Sequence, residues 1–197
     1  MGLQEEIEKS KFEIRTDTYS LSIGEWISLY EDSELLFPKF QRPFVWTKPH
    51  QSKLIESILL NIPLPPIFAY QQDDGRWTIL DGKQRLFTIF GFTGILRDEN
   101  GKLELPLIIE GTEYLPSLQN KVWDDEAVLR LANVSIDLSP LTTLQRLLVK
   151  RFPLITVILL KGSKLEAAFE IMARLNTHSP LIKKAELQKQ LTQIDLA

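Results

Sequence analysis

The chain has no cysteine among its 197 residues and two histidines, His50 and His178. The first absence excludes a disulfide framework and any cysteine-based zinc site, and the second leaves too few imidazoles for a histidine-rich metal centre. Charge of one sign is also scarce. Twenty-three basic residues against 26 acidic ones give a formal net charge of −3 and a pI near 5.5. That balance argues against a domain held on DNA by general phosphate attraction, which shows as a basic face. Lys39, Arg42, Lys48 and Lys53 form one local basic group and Lys183, Lys184 and Lys189 another, and ordinary surface lysines explain both. No aliphatic run reaches membrane length, since the longest, Leu154 to Leu160, is the length of a strand. The acidic, polar N-terminus does not read as a secretory signal. The expectation is a cytoplasmic protein with no membrane partner. Three catalytic patterns are missing as well: a G-x-x-x-x-G-K-[ST] phosphate loop, a G-x-G-x-x-G turn after a strand, and His-Glu-x-x-His. Two isolated histidines support no Ser/His/Asp arrangement.

An apolar share of 44% and a charged share of 25% suit a globular chain able to bury a real core. The most informative stretch runs from Trp77 to Phe90 (Trp-Thr-Ile-Leu-Asp-Gly-Lys-Gln-Arg-Leu-Phe-Thr-Ile-Phe). It reads as a short buried strand, a tight turn at Asp81-Gly82, and a helix starting at or just after Gly82. Leu86, Phe87, Ile89, Phe90 and Phe92 make that helix apolar nearly all round, the pattern of a buried helix. Its polar side chains, Asp81, Lys83, Gln84 and Arg85, crowd at its start, where free backbone N–H groups and the positive end of the macrodipole favour an anion. The same residues read equally as a plain helix start, with Asp81 as the cap and Gly82 permitting the turn.

Two further stretches carry candidate chemistry. In Phe40-Gln41-Arg42-Pro43-Phe44-Val45-Trp46, Arg42 suits a forked contact with phosphate. Gln41 can donate and accept towards a base, a ribose or a water, and Trp46 with the nearby Phe40 and Phe44 offers a stacking wall. The alternative is a proline-rich connection whose aromatics fill the core. In Asn176-Thr177-His178-Ser179, Asn176 sits either at the rim of the same pocket or at the end of a helix.

Around these stretches the pattern predicts an arm or short helix over 1–16, then a capping box at Ser22-Ile23-Gly24-Glu25 opening a helix. A short strand at 35–37 follows, then a helix over 48–60 capped by Thr47 with Pro49 in its first turn. The proline-rich 63–66 must be extended. Strands at 67–70 and 76–80 join through a hairpin turn at Asp73-Asp74-Gly75. Beyond the central helix the pattern predicts turns and short strands over 96–116. Helix over 117–131, strand over 134–138, helix over 141–151 and strand from Leu154 to Leu160 come next. Helices near 165–172 and 183–191 complete the chain.

In combination, the aromatic segment, the hairpin and Asp81-Gly82-Lys83-Gln84-Arg85 resemble the DUF262 family, the N-terminal domain of GmrSD-type, modification-dependent restriction systems. Asn176 to Leu187 is similar to a later family element. The resemblance implies an α+β fold like that of ParB and sulfiredoxin: a small mixed β-sheet flanked by helices, with a core over about 17–95 and a helical C-terminal part over about 96–197. It implies nucleoside triphosphate binding and hydrolysis that regulates a nuclease, in a restriction or anti-phage system, with the nuclease domain or subunit supplied in trans. Carried over by position, Arg85 and Arg42 hold phosphates, and Asp81 holds Mg²⁺ or a water. Gln84 and Gln41 orient the water or the nucleotide. Asp81, Gln84 and Arg85 are then the catalytic set, and Gln41, Arg42, Trp46, Gly82, Lys83 and Asn176 the nucleotide-binding set, around a cleft between 38–46 and 81–86. Lys83 departs from the family's usual glutamine. The alternatives are a non-hydrolysing module that binds DNA or senses its modification, and a ParB-like DNA nuclease.

Overall fold

Ser22 ends one strand and opens one helix, and this corner shows how the domain is assembled. The computed structural model describes residues 2–10, 15–38 and 43–159. Within these, α1 (Leu3–Ser10), β1 (Thr16–Ser22), α2 (Ile23–Glu31) and β2 (Leu35–Leu36) are followed by α3 (Lys48–Leu59), β3 (Ile67–Gln71), β4 (Trp77–Asp81) and α4 (Lys83–Phe92). After a long irregular stretch come β5 (Lys121–Val122), α5 (Asp125–Arg130), β6 (Ser139–Pro140), α6 (Thr143–Arg151) and β7 (Pro153–Leu159). The Ser22 side chain accepts from the Glu25 N–H while the Glu25 carboxylate takes the Ser22 N–H at 2.7 Å, the reciprocal capping box.

Five strands form one mixed sheet in the order β1-β7-β3-β4-β2. β1 is antiparallel to β7, β7 parallel to β3, β3 antiparallel to β4, and β4 parallel to β2. The β3–β4 hairpin turns through Gly75 at φ +93°, where the Gln72 N–H meets the Arg76 carbonyl at 2.8 Å. One apolar cluster joins the sheet to its helices: Ile67, Ile79, Leu154 and Ile158 from strands, with Trp26, Ile55, Ile58, Leu86, Ile89, Phe90 and Val149 from helices. The fold is thus α+β, a mixed sheet flanked by helices. None of the described helices is long and apolar enough to cross a membrane.

Four details differ from the sequence expectation. β1 was not foreseen, because Thr-Asp-Thr-Tyr-Ser-Leu-Ser lies largely exposed along the sheet margin and lacks an alternating apolar pattern. Residues 117–131 are not one helix. A single 3₁₀ turn, Pro116–Leu118, is stopped by Asn120 at φ +60°, and α5 starts afresh from the Asp124 cap. The strand expected over 134–138 is absent; the short pairing in this region is made by Ser139 and Pro140 with the two-residue β5. Thr47 precedes α3 but makes no side-chain cap; its hydroxyl lies 2.8 Å from His50 Nδ1. The helices expected near 165–172 and 183–191 lie outside the described residues.

The two Ser22 hydrogen bonds, side chain first and backbone second, hold the Glu25 carboxyl below its ordinary value of 4.5. A depressed carboxyl stabilises the fold at pH above its unfolded value, and that contribution is lost as pH falls through the folded value. The melting-temperature gap between the native chain and Glu25→Ala should therefore be steady from pH 7 to about 5 and close on further acidification. Thermal melts across pH check this.

Candidate functional site

The site is built where β4 runs into α4. Gly82 is the N-cap at φ +106°, ψ 0°, a left-handed conformation natural to glycine. A Cβ on Gly82 would also crowd the terminal methyl of Ile67, a side-chain end that can move, so it is the backbone conformation that calls for glycine. Asp81 is not the cap, and among the described residues no side chain caps α4. The first-turn N–H groups, which a helix cannot satisfy internally, are therefore without the usual side-chain acceptor. The plain capped-helix reading of Asp81 fails on this point.

Asp81 faces Arg85 instead. Its Oδ2 accepts from an Arg85 terminal nitrogen at 2.9 Å. The guanidinium also donates to the carbonyls of Pro65 and Pro66, the latter at 3.1 Å. Arg85 is buried, whereas Asp81 keeps about a third of its side chain exposed (34%). Burial lowers the Arg85 pKa, and the Asp81 charge and hydrogen bond oppose that shift; the group stays a cation. A guanidinium fork is the shape that can hold two carbonyls and a carboxylate at once.

The neighbouring Gln84, also buried, closes on the opposite side. Its Oε1 accepts from the N–H groups of Val45 and Trp46 at 3.0 and 3.3 Å, and its Nε2 donates to the Pro43 carbonyl at 2.9 Å. Gln51 then donates to the Trp46 carbonyl at 2.7 Å. Segment 43–46 therefore rests directly on the first turn of α4, and the expected cleft is closed along this part. With its amide engaged at both ends, Gln84 holds protein rather than a water. Trp46 is half-buried against the core and tilted over His50. Lys83 lies with Nζ 5.3 Å from the centre of the Phe87 ring, and desolvation lowers its pKa. Phe44, exposed, sits 6.1 Å from the same ring. Sequence reasoning did not single out Pro65, Pro66 or Phe87 as parts of the site. Prolines without N–H groups, whose carbonyls need donors from elsewhere, were the available signal for the first two. Gln41, Arg42 and Asn176 lie outside the described residues.

Among the described residues no group of three or more histidine and acidic side chains could hold a metal. Asp81 alone fits a Mg²⁺ ion that arrives on a nucleotide's phosphates, which typically takes one or two carboxylates from the protein; it does not fit a protein-made cage.

Fold and site together define a mixed α+β domain with an uncapped, glycine-led helix mouth at its centre. The chain belongs to the family of the GmrSD restriction endonuclease N-terminal domain, whose sequence profile matches residues 23–192. No curated protein matches it in sequence. Among solved structures it is similar to the C-terminally truncated chromosome-partitioning protein ParB from Caulobacter crescentus complexed with CTP-gamma-S, at 13% identity and a TM-score of 0.35, with 86% of this chain and 58% of that one covered.

Two measurements check this geometry. Arg85→Lys should cost about 1–3 kcal/mol, because one ammonium cannot reach both proline carbonyls and Asp81; denaturant melts read the loss. In hydrogen exchange, the Val45 and Trp46 amides should be protected although Val45 is exposed, and Gln84→Ala should speed their exchange roughly tenfold.

Proposed function

We propose that this restriction-system domain binds a nucleoside triphosphate at the mouth of α4 and hydrolyses it to regulate a nuclease supplied by another domain or subunit. The observation that carries the reading is the uncapped first turn behind Gly82, with the one residue placed to cap it, Asp81, turned to Arg85. A phosphate there meets backbone N–H groups, the positive helix end and an arginine whose position is fixed by three acceptors. Family membership supports the restriction role.

The roles follow from the contacts. The Gly82 turn lets backbone approach the phosphates closely, and the N–H groups of Lys83 and Gln84 face them. Arg85 steadies both the turn and the charge, with Arg42 as a second phosphate contact. Gln84 is a positioning residue that holds segment 43–46 at the mouth, and Gln41 keeps the nucleotide-orienting role that the family resemblance implies. Lys83 and the exposed Phe44 border the site on the base side. The free oxygen of Asp81 orients the attacking water or a phosphate-borne Mg²⁺, which supplies charge neutralisation when bound. Hydrolysis of this kind rests on positioning and electrostatic stabilisation of the transferred phosphoryl group. Trp46 and Asn176 line the site in this proposal.

A phosphate-release assay across the four NTPs, paired with calorimetric titration, tests the reading. Asp81→Asn keeps an acceptor for Arg85 but removes the carboxylate. It should retain nucleotide binding while turnover falls about a hundredfold or more. Unchanged hydrolysis in that variant would reject the assignment of Asp81. Titration of plain and modified duplexes that gives heat where every NTP gives none would favour the DNA-sensing alternative.

A further inference from the structure

Two helices at the periphery carry apolar residues that no described element covers. α6 is turned inside out relative to an ordinary surface helix. It buries Val149, with Gln145 and Arg146 half-buried, while Leu144 (68% exposed), Leu147 and Leu148 face outward. Those leucines fall at i, i+3 and i+4, one continuous stripe. The helix carries Arg146, Lys150 and Arg151 and no acidic residue. α1 presents the matching object, with Leu3 (73% exposed) and Ile7 at i and i+4 on an outer face. Glu5, Glu6 and Glu8 outnumber its single lysine, Lys9. None of the three glutamates, nor Lys150 or Arg151, has an ion pair among the described residues.

We propose that the chain forms a twofold dimer in which α1 of each copy lies on the α6 leucine stripe of the other. The two helices complement each other in apolar spacing and in charge, and reciprocal exchange closes the assembly at two copies. Reach favours the other copy over the same chain. Ser22 pairs with Pro153 beside the C-terminal end of α6, and Thr16 pairs with Leu159 at the far end of β1. Six residue steps of strand separate these points by roughly 20 Å. Seating α1 on the stripe of its own chain would need the six residue steps from Ser10 to Thr16 at full extension, roughly 20 Å, merely to bring the end of α1 beside the C-terminal end of α6, about one turn from Leu147 and Leu148. A second copy imposes no such demand. This surface is independent of the nucleotide site, so the two readings stand or fall separately.

The cysteine-free sequence makes the test direct. Full-length Ile7→Cys and Leu147→Cys chains are mixed and mildly oxidised, and the products are resolved without reductant. A disulfide-linked heterodimer is expected, while neither variant alone gives comparable dimer. Sedimentation of the unmodified chain should show a concentration-dependent dimer, weakened by added salt and weakened about tenfold or more by Leu147→Asp. Circular dichroism confirms that this variant is folded. The proposal is overturned by an unmodified chain that stays monomeric, by absence of the mixed disulfide, or by cross-linking confined within single chains of an Ile7→Cys/Leu147→Cys double variant.

Discussion

The guanidinium of Arg85, held between two proline carbonyls and a carboxylate, is the interaction on which the rest of the domain depends. A buried arginine is tolerated only when its donors and charge are met. Here the three acceptors come from two places: Asp81 at the end of a strand, and Pro65 and Pro66 in a loop with few N–H groups of its own. The cation therefore welds the hairpin, the proline loop and the central helix into one unit. Gln84, one residue earlier, does the same for segment 43–46 with a neutral amide. Adjacent side chains on the first turn of α4 thus tie down the segments at both ends of α3.

That arrangement makes α3 a spacer anchored at each end to the same helix mouth. Its flank is occupied too. The Ser52 hydroxyl accepts from the Glu110 N–H at 2.8 Å, and the buried Glu56 carboxylate accepts from the Thr112 hydroxyl and from the Tyr114 N–H. The long irregular stretch after α4 is thereby bound to the helix whose ends meet the candidate site. A rigid frame of this kind suits anion recognition by backbone, since fixed N–H dipoles need no reorganisation when a phosphate arrives.

Much of this was legible in the sequence, and for identifiable reasons. The capping box at Ser22 and Glu25, the turn at Gly75 and the glycine-led start of α4 are local chemistry, fixed by residues within four positions of one another. β1 was illegible because a marginal strand gains its stability from pairing with β7, over a hundred residues away, and needs no apolar alternation. Residues 117–131 carried helical composition, but Asn120 at positive φ breaks the run. At the site, the residue types were readable while their allegiance was not. Gln84 and Arg85 looked free to meet a ligand, whereas most of their hydrogen-bonding capacity is spent on main-chain carbonyls and N–H groups contributed by distant loops. Only the third dimension reveals that.

The central claim is that the first turn of α4 receives an oxyanion through its own backbone. Amide chemical shifts of Gly82, Lys83, Gln84 and Arg85, followed by nuclear magnetic resonance as a nucleoside triphosphate is titrated in, test it most directly. These four signals should move together and saturate at one affinity, with the core amides of Ile89 and Phe90 little changed. Saturable nucleotide binding that leaves all four unmoved would contradict the account.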